Sequence, residues 1–138
     1  MDAGILNISD SNSPKADEIR IVEFSRDVSV ATGTQAITGV GFKPSLVYFY
    51  AVINNAIGRC SLGFDNGTTA LSSIDNTASP SGVNEWGKGS TSSIVSNHGS
   101  GNQYAGNIST LDTDGFTLSW TKVGSPTGTL ALYAMCYK

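Results

Sequence analysis

The apolar positions of this chain recur with a period of two, and nowhere with the 3.6-residue period of an amphipathic helix. Ile19, Ile21 (or Val22) and Phe24 open a first strand, Val28-Ser29-Val30-Ala31 reads as a second, and Ala36-Ile37-Thr38-Gly39-Val40 as a third. Leu46-Val47-Tyr48-Phe49-Tyr50-Ala51-Val52-Ile53 is the longest apolar run. Its β-branched and aromatic residues predict a central strand buried on both faces. Cys60-Ser61-Leu62-Gly63-Phe64 alternates again and meets Asp65-Asn66-Gly67, a hairpin signal because Asn-Gly accepts positive φ. Thr68-Thr69-Ala70-Leu71-Ser72 is the expected return strand.

Residues 75–91 are rich in Gly, Pro, Ser and Asn, carry a single Trp, and predict a long loop. Ser93-Ile94-Val95 and Tyr104-Ala105-Gly106-Asn107-Ile108 are weaker strands flanking Gly99-Ser100-Gly101. Asp112-Thr113-Asp114-Gly115 predicts a turn, after which Phe116-Thr117-Leu118-Ser119-Trp120 alternates plainly. Gly124-Ser125-Pro126-Thr127-Gly128 turns the chain back, and Leu130 to Tyr137 closes it as a final inner strand. About nine or ten short strands with regular turns predict an all-β fold, a β-sandwich ahead of a barrel. Residues 1–17 read instead as an N-terminal arm, with Asp10-Ser11-Asn12-Ser13-Pro14 as turn formers and Ile5, Leu6 and Ile8 as apolar anchors. Those three either dock on a neighbouring surface or belong to a frayed end. The expected organisation is the arm, 1–17, and a single sandwich domain, 18–138.

At 138 residues the chain has the size of one domain. Charged residues make up 14% of it, against about 25% in a typical globular domain. A surface so poor in ions can meet a neighbour without desolvating many of them. The net charge of −3 and the scattered basic residues exclude a phosphate-backbone binder, so no nucleic-acid partner is expected. No apolar run approaches the length of a membrane span, and the first residues show no secretory pattern. Cys60 and Cys136 both sit in apolar strands, as two buried thiols or, less simply, as a strand-to-strand disulfide.

Candidate chemistry is sparse. His98 is the only histidine, in Ser96-Asn97-His98-Gly99, and no Ser stands in a nucleophile-elbow context. Asp112-x-Asp114-Gly115 starts like a calcium loop but lacks the later oxygen ligands, so a turn is the better reading. No catalytic residue, metal or cofactor is expected. Trp86, flanked by Glu85 and Lys88, either stacks on a sugar or anchors an interface, or else folds back over the end of the sandwich. With His98 and Tyr104 it forms the candidate loop contact or glycan site.

Three segments together carry a resemblance. Gly39-Val40-Gly41-Phe42-Lys43-Pro44-Ser45-Leu46-Val47-Tyr48-Phe49, Gly63-Phe64-Asp65-Asn66-Gly67 and Asp114-Gly115-Phe116-Thr117-Leu118-Ser119-Trp120-Thr121 resemble, in this order, segments of small tailed-bacteriophage virion proteins. The resemblance leaves the arm and residues 75–110 unmatched. It implies a non-enzymatic structural part with a jelly-roll-like sandwich, commonly a homotrimer, assembled in the host cytoplasm and located in the virion. It fits a capsid decoration (cement) protein that binds the major capsid protein or other virion proteins. Ile5, Leu6 and Ile8 would then be the partner-binding residues. The alternative is a tail-fibre or receptor-binding module that recognises host-surface carbohydrate. Decoration is preferred because the chain offers no elongated shaft or attachment segment.

Overall fold

The alternating segments form ten antiparallel strands among the described residues, arranged in two sheets. The computed structural model describes residues 18–54, 59–76, 85–89, 91–99 and 101–138, with the backbone alone at 54, 59, 75–76, 85–89 and 99. The strands are β1 (Ile19–Asp27), β2 (Gly33–Thr38), β3 (Leu46–Asn54), β4 (Arg59–Asp65), β5 (Ala70–Asn76), β6 (Glu85–Gly89), β7 (Ile94–Gly99), β8 (Asn102–Asp112), β9 (Gly115–Val123) and β10 (Thr129–Tyr137). One sheet runs β1-β10-β3-β4-β5-β6 and the other β2-β9-β8-β7. The first strand thus lies beside the last and the second beside the ninth, the nested wrapping of a jelly roll. Meanders β3 to β6 and β7 to β9 complete the sheets.

The predicted sandwich is present, and its core follows from side-chain alternation. Val47, Phe49, Ala51 and Ile53 of β3 and Leu130, Leu132, Ala134 and Cys136 of β10 point inward from the larger sheet. Ile37, Phe116, Leu118, Trp120, Tyr104 and Ile108 answer from the smaller one. Phe116 sits between Phe24 and Phe49, with ring centroids 6.2 and 5.6 Å away and both contacts edge-on. At one end Tyr104 stacks on Trp120 at 5.3 Å, and the Arg26 guanidinium lies 5.8 Å from each ring. Trp120 lies flat across Gly106, where a Cβ would stand 2.6 Å from its ring.

Three of the expected strands and loops are drawn differently in the structure. Val28-Ser29-Val30-Ala31 is a turn, because Asp27 accepts from both the amide and the hydroxyl of Ser29, a geometry that takes the chain out of the strand. The hairpin after β4 is a four-residue loop, Asn66–Thr69, with the return strand starting at Ala70. The Asn66 side chain holds this loop by accepting from Thr68 and Thr69. The expected loop 75–91 contains β6, whose Trp86 pairs with Asp75.

The two main segments of the resemblance meet in one corner. The Asp114 carboxylate accepts from the amides of Gly39 (3.1 Å) and Gly41 (2.6 Å). Both glycines have positive φ, 87° and 85°, which turns their N–H groups toward the same acceptor. These bonds hold the Asp114 carboxyl below its ordinary value of 3.8, and the Ser29 bonds lower Asp27 in the same way. A depressed carboxylate stabilises the fold above its unfolded pKa, and that contribution disappears as pH falls through the folded value. Stability should therefore decline once the pH drops below about 4. Asp114→Asn should be less stable near neutrality and show a shallower acid decline. Thermal unfolding from neutral to acid pH checks this, and an unchanged acid slope in the variant would contradict it.

Candidate functional site: the outer face of the six-stranded sheet

The strands that build the core also carry a second set of large apolar side chains, pointing away from it. In β10 the inward Leu130, Leu132, Ala134 and Cys136 alternate with outward Ala131, Tyr133 and Met135. In β3 the outward residues include Tyr48 and Tyr50. Strand pairing lines these up. Ile21, Met135, Tyr48, Phe64 and Leu71 occupy one register line across β1, β10, β3, β4 and β5. Glu23, Tyr133, Tyr50, Leu62 and Ser73 occupy the next.

From β1 to β5 Glu23 is the only charged residue in these two lines, and Lys88 of β6, opposite Ser73, extends the second. Tyr48 lies 6.0 Å from Phe64 and 5.8 Å from Tyr137, ring to ring, so the aromatic side chains brace one another. Between them open two shallow hollows. One of about 400 Å³ is bounded by Tyr48, Leu62, Phe64 and Leu71. The other, about 290 Å³, is bounded by Ile21, Tyr50, Tyr133 and Met135. Gly63, at the join of both, is a forced choice: a Cβ there would strike the Ser93 carbonyl oxygen on the inner side.

The outer face of the other sheet is different in kind. Thr34, Ala36, Thr38, Ser119 and Thr121 are exposed there, a mostly small and hydrogen-bonding surface suited to water, with Val123 as the large exposed apolar residue at the end of β9. β3 was expected to be buried on both faces. It is covered on its inner side, while Tyr48 and Tyr50 stand exposed on the other.

Of the candidate contact residues singled out in the sequence, Tyr104 and His98 have described side chains. Tyr104 is wholly buried, stacked on Trp120 and bonded through its hydroxyl to Arg26 Nε at 2.8 Å. A loop contact or glycan site at this position is therefore corrected to a core role. His98 lies in β7, half-buried, with Nε2 3.0 Å from the Oγ of Ser96. Ser96 is itself buried, which keeps its hydroxyl from an incoming substrate. Trp86 has a backbone position in β6, and its side chain lies outside the described residues. Ile5, Leu6 and Ile8, with the whole arm, lie outside them too.

No disulfide joins Cys60 and Cys136. They stand opposite Val52 and Val47 of β3, roughly 17 Å apart along that strand, beyond the reach of an S–S bond. Burial pushes the Cys136 thiol up to about 11, which suits a core residue and not a nucleophile.

A third hollow, about 380 Å³, lies by the 66–69 loop and is lined by Asp65, Thr68, Thr69, Thr91 and Asn107. Its polar groups serve the protein itself. Asp65 accepts from the amides of Gly67 and Ile108, both at 2.8 Å, and Asn107 accepts from Ser93 N. Asp112 and Asp114 likewise hold Thr117 and the two glycines. Among the described residues no group of three His, Cys, Asp or Glu side chains is placed to hold a metal.

Fold and surface together define an antiparallel β-sandwich with one open apolar sheet face. The chain matches no family model, no curated protein and no solved structure.

Proposed function

We propose that this chain is a structural protein of a tailed-bacteriophage virion: a capsid decoration protein that acts by assembly and performs no catalysis. The observation that carries this reading is the outer sheet face, five strands wide and nearly free of charge. Patches of this kind mark surfaces that are covered in the working state. The resemblance adds support, since its Gly39–Phe49 and Asp114–Thr121 segments form a single clamped corner.

In this reading the protein is a homotrimer on the outer capsid surface, and the arm reaches the major capsid protein. Ile5, Leu6 and Ile8 would bury there, each contributing about 1.5–3 kcal/mol before ordering costs. Deleting residues 1–17 is expected to abolish binding to capsids stripped of their outer proteins while the circular dichroism of the sandwich stays unchanged. A truncated protein that still saturates such capsids would overturn the arm mechanism. Failure of the intact protein to bind them would overturn the decoration role.

The second reading is a receptor-binding module of a tail fibre. Tyr48, Tyr50 and Tyr133 favour it, as exposed rings on which a sugar could stack. It requires the intact protein to bind host glycans on an array.

A further inference from the structure

We infer that the outer face of the six-stranded sheet is covered by another copy of this chain. The inference rests on the reading of the protein as an assembly component, and it is tested without capsids so that the two can fail separately.

Area is the first argument. Seven large apolar side chains on this face leave between 37% and 58% of their surface bare. At about 200 Å² per side chain, that is roughly 600–700 Å². Each partner in a standard protein interface contributes about 800 Å², so the face alone comes close, and the half-buried Phe64, Tyr137 and Leu46 extend it.

Charge is the second. A partner that covers this face must bring a surface with few ions, or it would have to strip their water without a counter-charge to meet them. A copy of the chain brings an equal area that is equally uncharged. The arm is a poorer occupant, because Ile5, Leu6 and Ile8 are three side chains set against a face five strands wide.

The third is the sequence pattern. The continuous apolar run of β3 has the composition of a strand covered on both sides, and the sandwich covers only one. The Thr- and Ser-rich face of the four-stranded sheet shows that the same chain makes a water-compatible surface where it needs one. Two faces could stack about 10 Å apart around a two-fold axis, or each could meet the flank of the next copy around a three-fold.

The test is the mass of the full-length protein in solution across a dilution series, for the wild type, Tyr48→Glu, Leu62→Glu and a control, Thr121→Glu, on the other sheet. The wild type and Thr121→Glu are expected to form the same closed dimer or trimer. Tyr48→Glu and Leu62→Glu are expected to be folded monomers, with association weakened more than about 100-fold by buried like charges. Should the glutamate variants fail to fold, Tyr50→Ser and Leu62→Ser make the same comparison more gently. A monomeric wild type overturns the inference, and so does an oligomer that survives every substitution on this face. An oligomer lost only on deletion of residues 1–17 overturns it too, by assigning the contact to the arm.

Discussion

Replacing Trp120 with alanine is expected to cost about 3–5 kcal/mol, a large fraction of the stability of a domain this size. The ring is fully buried, and three neighbours depend on it. Tyr104 stacks on it, Arg26 lies over both rings, and Gln35 Oε1 accepts from Nε1 at 3.1 Å. Alanine would open a cavity and leave the Gln35 carbonyl without this partner. Urea unfolding should show a lower midpoint with an unchanged slope. Gly106 supplies an internal check. In the wild type Gly106→Ala forces a methyl group to within 2.6 Å of the indole, an overpacking that costs about 1–3 kcal/mol. In the Trp120→Ala background the same methyl meets empty space, so the second substitution should be nearly neutral. Additive losses would mean that Gly106 matters for its backbone and not for the ring above it.

Asp65→Ala is the second large effect, about 3 kcal/mol, arising from hydrogen bonds and not from packing volume. Ile108 lies beyond the end of β7, whose pairing with β8 begins at Ile94 and Gly106. On the β7 side its amide meets no strand, and the Asp65 carboxylate from the opposite sheet takes it at 2.8 Å. The other oxygen holds Gly67 in the 66–69 loop. Alanine would leave a buried N–H without an acceptor, whereas asparagine keeps one oxygen and should lose about half as much. Amide hydrogen exchange at Ile108 should accelerate in step with these losses. An Asp65→Ala variant within about 0.5 kcal/mol of the wild type would mean that water replaces the carboxylate.

The body of the fold was legible because alternation is a local property. β3, β9 and β10 follow directly from their apolar positions, and so does the two-sheet arrangement. Val28-Ser29-Val30-Ala31 shows where the signal fails. Its residues alternate like a strand, but Asp27 just before them bonds to Ser29 and turns the chain. β6 is made of Glu, Trp, Lys and two glycines, and only its ladder to β5 identifies it as a strand. Tyr104 reads as part of a weak strand and as a contact or glycan residue, because its partners Arg26 and Trp120 lie in other strands and only the fold brings them to it.

The apolar outer face was not legible: Tyr48 and Tyr50 fell in a run expected to be buried on both sides, and Tyr133 and Met135 in a strand expected to lie inside. What the sequence could not show was that β1, β10, β3, β4 and β5 would lie side by side and bring them onto one face. The role of Asp65 was hidden for the same reason. Its hairpin setting is written in Asp65-Asn66-Gly67, but its acceptor role depends on Ile108, 43 residues away.

The pairing of β1 with β10 governs how the molecule carries a pulling force. Ile19 sits opposite Tyr137, and Lys138 N donates to the Glu18 carbonyl, so the chain enters and leaves the sheet at the same point. Tension between those two points would open the ladder one rung at a time, from Ile19 and Tyr137 toward Asp27 and Thr129, like a seam pulled from its end. Tension between the start of β1 and the broad sheet face would instead be shared by the whole β1–β10 ladder at once. A particle anchored by its arm and held to its neighbours by that face would be loaded in the second, stronger way.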